Sequence, residues 1–434
     1  MMAHGGDGSF VSARGTRLFR HGSPYFVSGA NYWQAMNLGM ADGGPSSDRP
    51  RVLRDLADLA ARGVNMVRIM AASEGSQFGP APDRISPVLM EAPGKYNEDV
   101  FAGLDWFLAQ LPRHNMTAVV SLANYWTWSG GAAQFVSWAT NSPIPYPEQW
   151  DPLKQTRVGG DYNAFLNYTN RFYSDTAIYA TVQRWYQDHI RTVLTRRNTA
   201  TGVEYCNDPS IMAWELMNEP QILSAAEGGE EQLAQWINNS AQLIRTLAPR
   251  HLVTTGAESK NGQRWFDIMH KSPHITLASC HFWPLNWGYY NPTDPTTTSV
   301  DHAIAMMHAF IDHNADWARA IAKPTVLFEH GMMRDNWGEF AGLAGYSPRA
   351  PVTHRNRFYS AVTARITALA AEGAFAGSAF WAYSGVARPP PVPTADPSWT
   401  GDPPHEPPGW NSVYDADEET LAILHRYARA IGSC

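Results

Sequence analysis

Two glutamates sit where apolar strands run out. Trp214-Glu215-Leu216-Met217-Asn218-Glu219-Pro220 reads as a buried strand that closes on an acid, and Pro220 cannot continue a central strand. Thr325-Val326-Leu327-Phe328-Glu329-His330-Gly331 repeats the design, with a glycine that lets the chain turn. The two acids lie 110 residues apart. Facing carboxyl groups are what cleavage of a glycosidic bond requires. One must be protonated to release the leaving oxygen; the other must be ionised to attack or to activate water. Like charge and partial burial push such a pair's pKa values apart. A lone strand-end glutamate is explained as simply by a rim arginine, but two at this spacing are not.

The elements that must hold these acids are legible in the hydrophobic period. Apolar runs at 26–33, 65–70, 117–124, 211–218, 252–257, 275–283, 324–329 and 375–383 read as strands. Helical periods follow them, with Leu53, Leu56 and Leu59 after the first run and Leu233, Trp236, Ile237 and Ile244 after the fourth. Eight alternations predict the α/β class and a (β/α)8 TIM barrel, with long loops at its C-terminal face. Glu219 then ends strand four and Glu329 strand seven, across the mouth from each other. The alternative is an open doubly wound sheet, but neither of its usual phosphate-binding glycine motifs is present. Residues 129–175 follow the third strand, and 388–409, with nine prolines, follow the eighth. Both leave the rim where active-site loops are built. The reading is one catalytic domain over 1–434, with residues 1–15 unstructured.

Composition narrows the partners. The chain has 434 residues and a net charge of −7; 44% of its residues are apolar and only 17% charged, below the usual share of about 25%. That excludes a disordered chain and a basic nucleic-acid arm. No apolar run approaches the length of a membrane span. Cys206, Cys280 and Cys434 are scattered and are expected to be free. Among the 17 Trp, Trp33, Trp126, Trp128, Trp283, Trp287 and Trp381 fall at or just past predicted strand ends, which outlines an aromatic cleft.

These segments resemble glycoside hydrolase family 5. Asn218-Glu219-Pro220 is similar to the family's acid/base motif, and Glu329-His330-Gly331 to its nucleophile motif. The blocks starting at Asn124-Tyr125-Trp126, His281-Phe282-Trp283 and Phe380-Trp381-Ala382 resemble loops of the endo-β-1,4-mannanase subfamily. The resemblance implies that Glu219 is the general acid/base and Glu329 the nucleophile, with Arg68 beside the nucleophile to keep it ionised. It places Asn218 on the sugar 2-hydroxyl, His281 near the acid/base, and Trp381 beneath the reacting sugar; core packing is the alternative for the last two. Asn124 and Trp126 join the substrate-binding set. Glu258 lines the leaving-group side, where a rim salt bridge is an equal explanation. Trp283 stands where many members have a tyrosine on the nucleophile, and its single N–H replaces that bond only in part. His330 stands where an aromatic usually follows the nucleophile and would bear on the pH profile. Glu74 and Asp335 receive no role.

The expectation is a retaining endo-β-1,4-mannanase, its carboxyl groups about 5–5.5 Å apart. An exo-acting β-mannosidase, a β-1,4-glucanase and a non-catalytic glycan-binding barrel are the alternatives. An open groove favours internal cutting; a blocked end favours the exo mode. No His-Glu-x-x-His or Gly-x-Ser-x-Gly occurs, so neither metal nor cofactor is expected, nor a serine nucleophile. The partner is a mannan-type polysaccharide or manno-oligosaccharide, with no nucleic acid and no membrane, and the enzyme is expected to be a monomer. Polymeric mannan cannot enter a cell, so an extracellular enzyme is expected even though MMAHGGDGSF has no apolar h-region.

Overall fold

The structure, a computed structural model, describes residues 9–79, 84–151, 153–154, 156–223, 229–391 and 397–434. Its centre is eight parallel strands: β1 (Val27–Asn31), β2 (Met66–Met70), β3 (Thr117–Ser121), β4 (Ile211–Glu215), β5 (Leu252–Thr254), β6 (Ala278–Phe282), β7 (Thr325–His330) and β8 (Gly377–Phe380). They pair in the order β5-β4-β3-β2-β1-β8-β7-β6. The seam between β5 and β6 is closed through a side chain. Thr276 N–H donates to the Val253 carbonyl at 2.9 Å, and Val253 N–H donates to Thr276 Oγ1 at 2.8 Å. The predicted TIM barrel is therefore the fold.

Six of the eight strands stop earlier than their apolar runs; β2 and β7 do not. Past Glu215 the chain bends and bonds irregularly, Asn218 N–H to the Ala123 carbonyl and Glu219 N–H to that of Gly256, both at 2.9 Å. These unladdered ends form the rim.

The outer ring comprises α1 (Arg49–Ala61), α2 (Glu98–Gln110), α3 (Tyr179–Thr195), α4 (Gly229–Leu247), α5 (Gln263–His270), α6 (Thr298–Ala320), α7 (Thr353–Ala371) and α8 (Glu418–Ile431). Asp48 caps α1 by accepting from Arg51 N–H at 3.1 Å, and Pro50 sits in the first turn, where its missing donor leaves no bond unmade. The helix buries Val52, Leu56 and Leu59; burying one such leucine contributes about 1.5–3 kcal/mol. Leu53, expected on this face, is 42% exposed because it lies about 100° round the helix from Val52.

The N-terminus departs from expectation. Ser12–Arg14, Arg17–Arg20 and Ser23–Tyr25 form a three-stranded antiparallel sheet. Val11 and Leu18 pack from it onto Val27, Met66, Val119 and Phe328, closing the barrel floor. Only residues 1–8 of the stretch expected to be unstructured lie outside the described residues. Among the described residues no helix is long and apolar enough to cross a membrane, and all three cysteines are free.

Candidate active site

Beneath the barrel mouth, Arg68 on β2 organises the acids. Its Nε and Nη2 donate to both oxygens of Glu215 at 2.8 and 2.7 Å. Nη2 also donates to Asn218 Oδ1 at 2.7 Å, and Nη1 donates to Asn31 Oδ1 at 3.0 Å and to Glu329. Burial opposes the charge on Arg68, but Glu215 and Glu329 outweigh it and hold the guanidinium protonated. Glu215 and Asn31 are the residues that sequence reasoning missed.

Glu219 sits above this layer with φ +52°, a left-handed conformation that is costly for a residue with a Cβ and is typical of functional turns. Its N–H bond to Gly256 fixes that turn. Only glycine fits there, because a Cβ on residue 256 would lie 2.1 Å from the Met217 carbonyl oxygen and 2.7 Å from the Glu215 carboxyl carbon. Trp126 Nε1 donates to Glu219 Oε2 at 2.6 Å, and His281 Nδ1 lies 2.8 Å from Oε1. Opposite, Trp283 Nε1 donates to Glu329 Oε2 at 3.1 Å, so the indole does reach the acid, and His281 Nδ1 is 3.4 Å from the same oxygen. Carboxyl oxygens of Glu219 and Glu329 come within 4.8 Å of each other, with His281 between them. Retaining sites set their carboxyl groups roughly 5–5.5 Å apart and inverting sites roughly 6.5–9.5 Å.

Burial raises both carboxyl groups above the usual glutamate range, Glu329 well above it; Trp126 opposes the shift at Glu219 and Arg68 opposes it at Glu329. The charge on Glu219 adds to the rise at Glu329, so the two titrate together and retain a proton more readily than exposed glutamates do. The donors decide where that proton rests. Glu329 accepts a charge-assisted bond from Arg68, which favours its carboxylate. Glu219 accepts from an indole and stands beside a neutral imidazole, with Lys260 and Arg68 acting on it through charge alone, which leaves it the better placed of the two to carry a proton. Burial and then the charge of Arg68 push His281 down to about 3, leaving it neutral. Glu219, His281 and Glu329 lie close enough to share a cation, but the guanidinium already supplies positive charge there.

Above the pair lies a cavity of about 710 Å³ lined by Trp126, Trp128, Asn218, Glu258, Trp283, Trp287 and Trp381 among others. Arg68 stands beside Glu329 and His281 beside Glu219; neither they nor Asn124 line the cavity, Asn124 accepting from Asn218 Nδ2 at 3.0 Å and so orienting that amide. Trp33 is buried behind the cleft, its N–H on the Gly401 carbonyl at 2.8 Å. Burial pushes His330 down to about 3, so it carries no charge near neutral pH and has no means to shape the pH profile by titrating. Asp335 instead caps α7, accepting from Thr353 N–H at 2.8 Å. Glu258 fits both of its readings, since it lines the cavity and pairs with Lys260 at 2.7 Å.

The two long loops meet at one end. Within 129–175 the hairpin of Gln149–Asp151 and Thr156–Val158 carries Arg157, whose guanidinium lies 5.3 Å from the Trp410 ring. Trp150 of the same hairpin meets Tyr346 edge-on at 6.4 Å. His405 of the proline-rich loop stacks on Trp128 at 6.0 Å. Buried Asp402 pins that loop by accepting from Gly409 N–H at 2.8 Å, Asn411 N–H at 2.5 Å and the Ser412 hydroxyl.

Paired carboxyls below a sugar-sized aromatic cavity place the protein among the glycoside hydrolases. Comparison with known proteins sharpens that class: residues 8–434 match the family described as GH family 5 beta-mannosidase-like, and the chain belongs to it. It is 40% identical to the glycoside hydrolase family 5 mannosidase of Rhizomucor miehei, with a TM-score of 0.89 and 98% of each chain covered. A variant of that enzyme in complex with mannosyl-fructose superposes with a TM-score of 0.90. The chain is also 30% identical over 400 residues to mannan endo-1,4-beta-mannosidase 1 of Oryza sativa subsp. japonica, covering 87% of this chain and 79% of that one.

Proposed function

We propose that the protein is a retaining β-mannosidase that removes mannosyl units from the non-reducing end of β-1,4-linked manno-oligosaccharides. Glu329 attacks the anomeric carbon while Glu219 protonates the leaving oxygen; Glu219 then takes a proton from the water that releases the sugar from Glu329. Asn218, held by Asn124 and Arg68, is set to bond the 2-hydroxyl, and Trp381 supports the reacting ring.

What supports the exo mode is the cluster of side chains from the long loops that lines the cavity away from Glu258 and Lys260. Glu219 must face the leaving oxygen, so Glu258, Lys260 and Trp287 mark the leaving-group side, and the sugar over Trp381 is the transferred one. Beyond that sugar, Trp128, Arg157, His405, Glu406 and Trp410 wall the cavity. Internal cutting needs sugar sites on both sides, so a crowded end favours the exo alternative, while the 30% identity to a mannan endo-1,4-beta-mannosidase favours the endo mode expected from sequence. The 40% identity to a mannosidase supports the exo alternative. An oligosaccharide substrate also removes the argument from polymer size for an extracellular enzyme.

Reducing-end-labelled mannohexaose distinguishes the modes. The expected early products are mannose and a labelled chain one unit shorter, with cellohexaose left intact. Labelled mannotriose or mannobiose as the first products would favour the endo reading.

The pH profile tests the proton assignment. The alkaline limb of kcat/KM should report loss of the Glu219 proton. Trp126→Phe removes a donor that favours the carboxylate, so the Glu219 pKa should rise and the alkaline limb should move up by about one pH unit. An unmoved or lowered limb would contradict the assignment.

A further inference from the structure

On the leaving-group side one cation keeps most of its hydrogen-bonding capacity free. Residues 258–260 follow β5 in a turn fixed onto β6. The Glu258 carbonyl accepts from His281 N–H at 3.1 Å, and the Ser259 hydroxyl donates to the Ser279 carbonyl at 2.8 Å. Ser259 has φ +59°, left-handed backbone that costs energy unless such bonds hold it, and strain of that kind gathers at functional sites. Glu258 and Lys260 both reach the cavity wall.

Glu258 is already committed. Its Oε1 accepts from Trp287 Nε1 at 3.3 Å and its Oε2 from Lys260 Nζ at 2.7 Å. The Lys260 ammonium has three donors, and Glu258 is its one acceptor among the described residues. It lies 5.6 Å from the centre of the Trp287 ring. Burial opposes its charge, while Glu258 and Glu219 maintain it.

We infer that Lys260 is a specificity-determining residue that donates to hydroxyls of the leaving sugar, with Trp287 against that sugar's C–H face and Glu258 as the anchor for both. The inference rests on the β-mannosidase reading. A pyranose offers an apolar face and a rim of hydroxyls, which matches an indole beside an ammonium. An aryl leaving group offers a face to Trp287 but no hydroxyl to Lys260. The pair therefore selects a polyhydroxylated leaving group over an aromatic one.

The test compares kcat/KM on mannobiose with kcat/KM on p-nitrophenyl β-mannoside. In Lys260→Met the mannobiose-to-aryl ratio is expected to fall about tenfold or more, the loss of a charge-assisted hydrogen bond made by only one substrate. Lys260→Arg keeps a cationic donor and should hold the ratio within about threefold of wild type. A ratio unchanged in Lys260→Met overturns the inference, as does an equal fall in both variants. Wild-type inactivity on both substrates overturns the β-mannosidase reading and this inference with it. An active wild type whose ratio the methionine leaves unmoved overturns this inference alone.

Discussion

Replacing Glu329 by alanine is expected to lower kcat/KM on p-nitrophenyl β-mannoside by about 10,000-fold or more, because no other group stands where it attacks. Glu219→Ala should be comparably damaging on mannobiose, whose leaving group needs a proton, and less so on the aryl substrate, whose leaving group does not. Azide then tells the two positions apart. In Glu329→Ala it should enter the vacated space, displace the leaving group once, and give the α-mannosyl azide. In Glu219→Ala the glycosyl-enzyme still forms, so azide attacks from the other face and gives the β-mannosyl azide. The geometry motivates both outcomes: the carboxyl oxygens approach within 4.8 Å, and of these two acids Glu329 is the one that accepts from Arg68. Exchanged products would exchange the two roles.

Arg68→Met is expected to destabilise the fold as well as stop the chemistry. The guanidinium is 4% exposed and pairs with Glu215, which is fully buried, and with Glu329, 3% exposed. Its removal leaves two buried carboxyl groups without a counter-charge, a change that costs about 3–5 kcal/mol in buried pairs. Neither acid can turn to water, so one must take up a proton. If that proton goes to Glu329, the nucleophile is lost even in the molecules that remain folded. Urea unfolding reads the stability and kcat/KM reads the chemistry. Adding Glu215→Met should recover part of the stability, since the partners form one network, without recovering turnover. A stability loss below about 1 kcal/mol in the single variant would contradict this account of Arg68.

What was legible in the sequence, and what was not, follows from the range of the forces involved. The strands and the two strand-end acids were visible because alternation, Pro220 and Gly331 are local signals. Glu215 was not singled out, because its meaning depends on Arg68, which lies 147 residues away and becomes its partner only when β2 and β4 share the barrel. Asn31 was missed for the same reason. The N-terminal sheet did have local signals: Gly15, His21 and Gly22 all have positive φ at the two turns between its strands. The meeting of the long loops was beyond local reading. The pieces come from the loops after β3, β7 and β8, and nothing in the order of Arg157, Tyr346 and Trp410 announces that they meet. Trp33 shows the converse limit, since a strand-end indole can face inward as readily as a sugar.

On the proposed mechanism Glu219 and Glu329 cleave a β-mannosidic bond by two displacements at one carbon. Proton NMR of the first minutes of p-nitrophenyl β-mannoside hydrolysis tests it most directly. The account predicts that β-mannose accumulates first and converts to the α anomer only at the rate of mutarotation; α-mannose as the first-formed product would contradict it.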